Sequence, residues 1–202
     1  MKHDKPLLAI HIHGASGSVK TFEQNDQVLA SNILDGLNPA RLFAAGKITI
    51  AGEYSLTAYV ASRVTRIDII SERFACWDFP PDISDVVELS EAEFHQRLHQ
   101  KGSAQIEKRE KPQMTGDFAV RFLHVEMLGG QQIFLAIEFV IELPAERLNK
   151  IHFLLSAPAL HFRLRQGGVG VLNLANMVRF TTYPGPDRTP MDAWPAHHTV
   201  NG

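Results

Sequence analysis

The chain has 202 residues, with 20 basic and 22 acidic side chains, a formal net charge of −2, and apolar and charged fractions of 45% and 21%. These ordinary values exclude a wholly disordered chain, a collagen-like repeat, a coiled coil and a bundle of membrane helices. The length suits one large domain or two small ones. Both signs of charge are mixed along the chain with no basic block or stripe, and this argues against nucleic acid as a partner, because affinity for phosphates is built from clustered cations.

The first apolar run, Leu7 to Ile10, stops at His11 and is too short for a secretory h-region. No stretch approaches the ~20 apolar residues of a membrane span. The single cysteine, Cys76, cannot form a disulfide within the chain. The expectation is a cytoplasmic protein that does not bind membranes.

In chain order, LLAIHIH, GASGS and VKTFEQ read as strand, turn and strand, a hairpin. Residues 26–45 read as helix, broken near Gly36 into two short pieces, with Asn38 as a cap, Pro39 in the first turn and Gly46 at the end. KITIAGEYSLTAYVASRVTRIDIIS then reads as strand, turn and one long, bulged strand, in which Arg66 shares a side with Asp68. RFACWDFPPDISD is irregular, with Pro80-Pro81 breaking any sheet. Ser90-Glu91-Ala92-Glu93 is a capping box, so a helix runs over 90–101 with Phe94 and Leu98 as its apolar pair. The charged stretch to residue 117 reads as a flexible linker or a frayed helix end.

FAVRFLHVEML-GG-QQIFLAIEFVIEL, residues 118–143, is two alternating runs around Gly129-Gly130. A two-residue loop would set Leu128 opposite Gln131 and Arg121 opposite Glu138, and would put Phe118, Val120 and Phe122 on one core face with Ile133, Leu135 and Ile137. Both faces are apolar, so both need cover. Residues 144–156 read as helix, with Pro144 at its first position and Leu148, Ile151, Leu154 and Leu155 as its stripe. LHFRLRQGGVGVLNLANMVRFTTY reads as a second hairpin. A Gly-Gly-Val loop there pairs Leu164 with Leu172 and leaves His161, Arg163 and Arg165 on the other face. The tail from 184 is proline-rich and aperiodic.

The fold class is therefore α+β, dominated by antiparallel strands. Up to eight strands and about three helices fall into halves, 1–83 and 118–183, that both spell strand–strand–helix–strand–strand. The segment 84–117 lies between them, and the halves are expected to pack as one unit.

Histidine spacing is the main site-like signal. His11 and His13 lie two apart on a strand, and His95 and His99 lie four apart on a helix, so each pair leaves one face. With Glu91 they form a candidate site for a divalent metal. His161, Arg163, Arg165 and Arg179 are a candidate anion site. The loop His13-Gly14-Ala15-Ser16-Gly17-Ser18 resembles the oxyanion loop of α/β-hydrolases, but the G-x-S-x-G elbow of that family is missing. The strand-borne His-x-His pair is similar to the first metal strand of amidohydrolases, whose barrel typically needs about 250 residues and eight βα repeats. With no complete catalytic motif, the reading is a binding or assembly module that self-associates. The alternative is a small metal-dependent enzyme using the two histidine pairs.

Overall fold

The computed structural model of the chain describes residues 5–72, 76–80, 83–101, 106–108, 117–140, 154–183, 185 and 193–194. The fold class is α+β with a mostly antiparallel sheet. The first half contains β1 (Leu8–Gly14), β2 (Val19–Gln24), α1 (Gln27–Gly36), β3 (Lys47–Ala51), β4 (Leu56–Val60) and β5 (Val64–Ile70). After it come β6 (Ile83–Leu89), α2 (Glu91–Lys101) and β7 (Ile106–Lys108). The second half contains β8 (Asp117–Met127), β9 (Gln132–Val140), β10 (Ala159–Arg163), β11 (Val169–Asn173) and β12 (Met177–Tyr183).

Ten strands form one sheet in the order β12-β8-β9-β6-β10-β11-β5-β1-β2, with β7 beside β8, while β3 and β4 form a separate pair. One contact in this sheet is parallel, that of β10 with β6. β11 and β12 are five steps apart in that order yet are joined by a single 3-10 turn, Leu174–Asn176. Five steps of a flat sheet would cover roughly 24 Å, whereas the four Cα steps across the turn reach at most about 15 Å. The sheet therefore curls on itself. Leu123, Leu135, Ile137, Phe162 and Leu172 fill the inside of the curl and are fully or almost fully buried. Each such side chain contributes on the order of 1.5–3 kcal/mol by leaving water.

More strands form than the eight expected. A 3-10 turn cuts each long strand in two, at Ala61–Arg63 and at Leu174–Asn176. Two further strands, β6 and β7, lie in the segment expected to be loop, helix and linker. β6 sits inside the sheet between β9 and β10.

Three hairpin loops share one geometry. Gly14 N–H donates to Ser18 O and Gly17 N–H to Gly14 O. Met127 pairs with Gln131, and Gly130 donates to Met127. Leu164 pairs with Gly168, and Gly167 donates to Leu164. Each loop thus has three residues and ends on a glycine at positive φ: +80° at Gly17, +82° at Gly130 and +92° at Gly167. This corrects the expected register of 118–143. Arg121 lies opposite Ile137, and Glu138 opposite Val120. One extra loop residue turns every side chain of one strand to the other face. Leu123, Val125 and Met127 consequently join Ile133, Leu135 and Ile137 in the core, while Phe122, Phe134 and Ala136 form the outer apolar face. In the second hairpin Phe162 lies opposite Gly170, and Leu160 opposite Leu172. The expected faces hold there, with the pairing displaced along the strand.

α2 covers the outer face of β8–β9 with Phe94, whose ring lies 5.0 Å from Phe134 and 5.8 Å from Phe122. Its capping box forms: Glu93 accepts from the Ser90 amide at 2.8 Å, and Ser90 Oγ accepts from the Glu93 amide at 3.2 Å. α1 starts at Asp26, which accepts from Leu29 N–H, and ends at Gly36. The second short helix expected after Asn38 is instead a run of turns, although Asn38 does accept from the Ala40 amide. Of the helix expected over 144–156, residues 154–156 are helical and the rest lies outside the described residues, as does most of the tail.

Candidate functional site

The inner faces of β1, β2 and β5 are lined by Leu8, Ile10, Ile12, Phe22, Ile67 and Ile69. α1 crosses above them with Leu29 and Ile33, the following turns add Leu37 and Leu42, and β3 closes one side with Ile48 and Ile50. Strand alternation puts Leu8, Ile10 and Ile12 on one face. Ala30 and Leu34 of α1, Ile48 and Ile50 of β3 and Tyr59 of β4 pack on that face, although β3 and β4 do not join the main sheet. Beside them lies an open cavity of about 570 Å³, mostly apolar, with Glu23, Gln24, Asn32 and Thr49 as its polar lining residues. Leu29 and Ile33 remain 51% and 36% exposed at its rim.

The opposite face of β1 and β5 is polar and buried. His13 Nε2 lies 3.0 Å from Asp68 Oδ2. Arg66 donates through Nε to the other Asp68 oxygen and through Nη1 to Glu88 on β6, the latter at 2.7 Å. The Arg66 guanidinium lies 5.2 Å from the Phe162 ring centre. Burial works against the Asp68 carboxylate, but the His13 hydrogen bond and the Arg66 guanidinium outweigh it and hold the carboxyl below its usual range. For Arg66, burial is likewise outweighed, by Asp68 and Glu88, and its pKa is raised. His13 also lines a cleft of about 280 Å³ between the 14–18 and 128–131 loops, where the Gln131 amide nitrogen is 3.4 Å from its Nδ1.

The sequence-predicted metal residues fall on two distant elements. His11 and His13 sit on β1, facing Asp68 and Arg66 of β5 in register. Glu91, His95 and His99 are on α2, with Glu91 3.9 Å from His95. α2 packs on β9 and β6, and three strands separate β6 from β1 in the sheet. Among the described residues no group of three or more His, Cys, Asp or Glu is arranged to hold a metal ion.

The three predicted anion-site arginines each have a carboxylate partner, whereas the buried His161 Nε2 has no hydrogen-bond partner among the described residues. Arg163 donates to Asp85 at 2.8 Å, Arg165 lies 3.2 Å from Glu93, and Arg179 donates to Glu126. His161 stacks on Phe79 at 4.7 Å and meets the edge of Trp77 at 5.7 Å. Burial lowers its pKa, against backbone hydrogen bonds at Trp77 and Asp78. Burial also pushes the Cys76 thiol up to about 11.

Pairing of Arg66 with Asp68 follows from strand alternation. His13 and Glu88 as its further members do not, because Glu88 lies on the strand that sequence reading missed. No signal in the sequence marks the cavity, since its lining is an ordinary set of core-type residues.

No family model, curated protein or solved structure matches the chain. No helix among the described residues is long and apolar enough to cross a membrane.

Proposed function

We propose that this chain is a binding and assembly module that takes a small apolar molecule, such as an acyl chain or a hydrophobic aromatic, into the cavity of its first half. The supporting observation is the cavity itself. Its volume of about 570 Å³ falls within the ~300–1,000 Å³ usual for small-molecule sites, and its lining is mostly apolar. Such a lining offers nothing to an anionic substrate, since Glu23 is its one charged group and the anion's desolvation would go uncompensated.

The test is titration with N-phenyl-1-naphthylamine, an uncharged probe that fluoresces in apolar surroundings. Ile33→Trp and Ile48→Trp place an indole in the cavity from opposite sides. Both residues are partly exposed, so the fold tolerates the change. Saturable binding by the native chain, weakened at least tenfold in both variants, is the expected result. Affinity unchanged by either substitution would sink the proposal.

We also infer that the two halves are repeats of one unit, offset by 113 residues. β4 and β5 (56–60 and 64–70) have counterparts 113 residues on in β11 and β12 (169–173 and 177–183), and the 3-10 turns at 61–63 and 174–176 keep the same offset. The hairpin loops 15–17 and 128–130 keep it too. β1 pairs with β2 and β5 just as β8 pairs with β9 and β12. The register shift between His13 and Gly14 opposite Val64–Arg66 recurs at Glu126 and Met127 opposite Met177–Arg179.

A further inference from the structure

One ladder joins the two halves. β11 pairs antiparallel with β5, with Val169 opposite Ile69, Gly170 opposite Asp68, Val171 opposite Ile67 and Leu172 opposite Arg66. Under the 113-residue offset, the counterpart of β11 is β4 and the counterpart of β5 is β12. Among the described residues, β4 pairs with β3 alone and β12 with β8 alone. The chain therefore presents the same two edges twice, once paired with each other and once, among the described residues, open.

The open edges are also apolar. On β4, Leu56 and Val60 are 74% and 53% exposed. On β12, Val178, Phe180 and Tyr183 are 59%, 38% and 38% exposed. An unpaired strand edge is a template for another chain, and proteins usually blunt it with charge, proline or a bulge. β4 reads Leu-Thr-Ala-Tyr-Val, with neither charge nor proline. Arg179 on β12 is held by Glu126. The bulge in β12 has its match in β5, which pairs with β11 nonetheless.

We propose that β4 of one copy pairs antiparallel with β12 of a second copy, in the register that β11 and β5 use. Leu56 then faces Thr182, Thr57 faces Thr181, Ala58 faces Phe180 and Tyr59 faces Arg179. The two surfaces differ, so the contact is head-to-tail and each copy keeps one edge open until a ring closes or a filament grows. The joint between copies is weaker than the joint within the chain. Within it, Asn173 donates to Ala61 O and Val64 O, and Asn176 donates to Val64 O. Val60 and Arg63 occupy the corresponding positions between copies, so the carboxamide contacts have no equivalent there. The proposal rests on the repeat reading and is independent of the cavity's ligand.

The test is molar mass by light scattering at micromolar concentration. Residues 46, 52, 55 and 61 are in the hydrogen-bonded pairs of the β3–β4 ladder, so the Ala58 amide points to the open edge. Ala58→Pro removes that donor without touching the ladder. Phe180→Glu adds a charge at an exposed site on the other edge. The native chain is expected at a mass of two or more 22.5 kDa chains, and each variant at one. An equal mixture of the two variants should give two chains and no more, because each retains the edge that the other lacks. If Ala58→Pro loses its circular-dichroism signature, Leu56→Lys replaces it on the same edge. A monomeric native chain, variants that keep the native mass, or a mixture of folded variants that stays monomeric would each overturn the proposal. Probe binding in the cavity is measured on the same monomeric variants, so loss of assembly and loss of the ligand reading are told apart.

Discussion

Asp68→Asn tests the buried charge network directly. Asp68 is 3% exposed and Arg66 7%. Asp68 accepts from Arg66 through one oxygen and contacts His13 Nε2 through the other at 3.0 Å. Removing one member of a buried ion pair costs about 3–5 kcal/mol, because the remaining charge stays desolvated. Glu88 still holds Arg66 at 2.7 Å, and the substituted carboxamide keeps one acceptor, so the lower end, about 3 kcal/mol, applies. With a urea m-value of about 2 kcal/mol/M, the unfolding midpoint at pH 7 should fall by about 1.5 M. The pH dependence supplies a second check. The Asp68 carboxyl is lowered in the folded chain from an ordinary 3.8, so its contribution is complete above that value and is lost as pH falls through the folded value. The carboxamide of the variant cannot titrate, whereas the other carboxylates titrate in both proteins. The stability gap between native chain and variant should therefore narrow below pH 3.8. A gap under about 1 kcal/mol at pH 7, or one that widens on acidification, would refute this account of the network.

Two further outcomes follow from local geometry. The Phe162 ring is fully buried and packs across the Cα of Gly170, where a Cβ would sit inside the ring's contact distance. Gly170→Ala should cost about 1–3 kcal/mol in thermal unfolding, and Phe162→Leu in the same chain should recover part of it; strictly additive losses would show that the ring is not the obstacle. Cys76, with its thiol pushed from 9.0 to about 11 by burial, should react with iodoacetamide about 100-fold more slowly at pH 8 than the urea-unfolded chain does; equal rates would mean the thiol is not buried as described.

What the sequence could reveal divides along the range of the interactions. Ser90 and Glu93 satisfy each other within one turn, and Asn38 accepts from the Ala40 amide two residues on, so these caps were legible. The class and the alternation of β8 and β9 were legible for the same reason. The register around Gly129-Gly130 was not, because two adjacent glycines permit either a two- or a three-residue loop. The choice rests on contacts at the loop itself: Leu128 N–H donates to Asn176 O, and the Cα of Gly129 abuts the Ala15 carbonyl. β6 was hidden for a related reason. Its Ile83-Ser84-Asp85-Val86-Val87-Glu88-Leu89 does not alternate cleanly, since Asp85 and Glu88 hold cations presented by other strands, Arg163 and Arg66. The cavity depends on how far β3 and β4 stand from the main sheet, a long-range property with no local motif.

The two halves show how far environment, rather than local sequence, decides what a residue does. Arg66 and Arg179 are 113 residues apart and occupy the same place after the same bulge. Arg66 has an 8% exposed side chain and anchors a buried network, whereas Arg179 is 61% exposed and makes a surface pair with Glu126. An exposed pair of that kind is worth about 1 kcal/mol or less, while a buried one is costly to break. The strands that carry them begin and end at matching positions, so the difference lies in what covers each strand. β11 lies along β5, and no described strand lies along the corresponding edge of β12. β3 and β10 differ in the same way: β10, with β6 on one side and β11 on the other, is drawn into the large sheet, while β3 and β4 remain a separate pair beside the cavity. Among the described residues, β3 lacks a strand in the place that β6 takes beside β10, and β4 lacks one in the place that β5 takes beside β11.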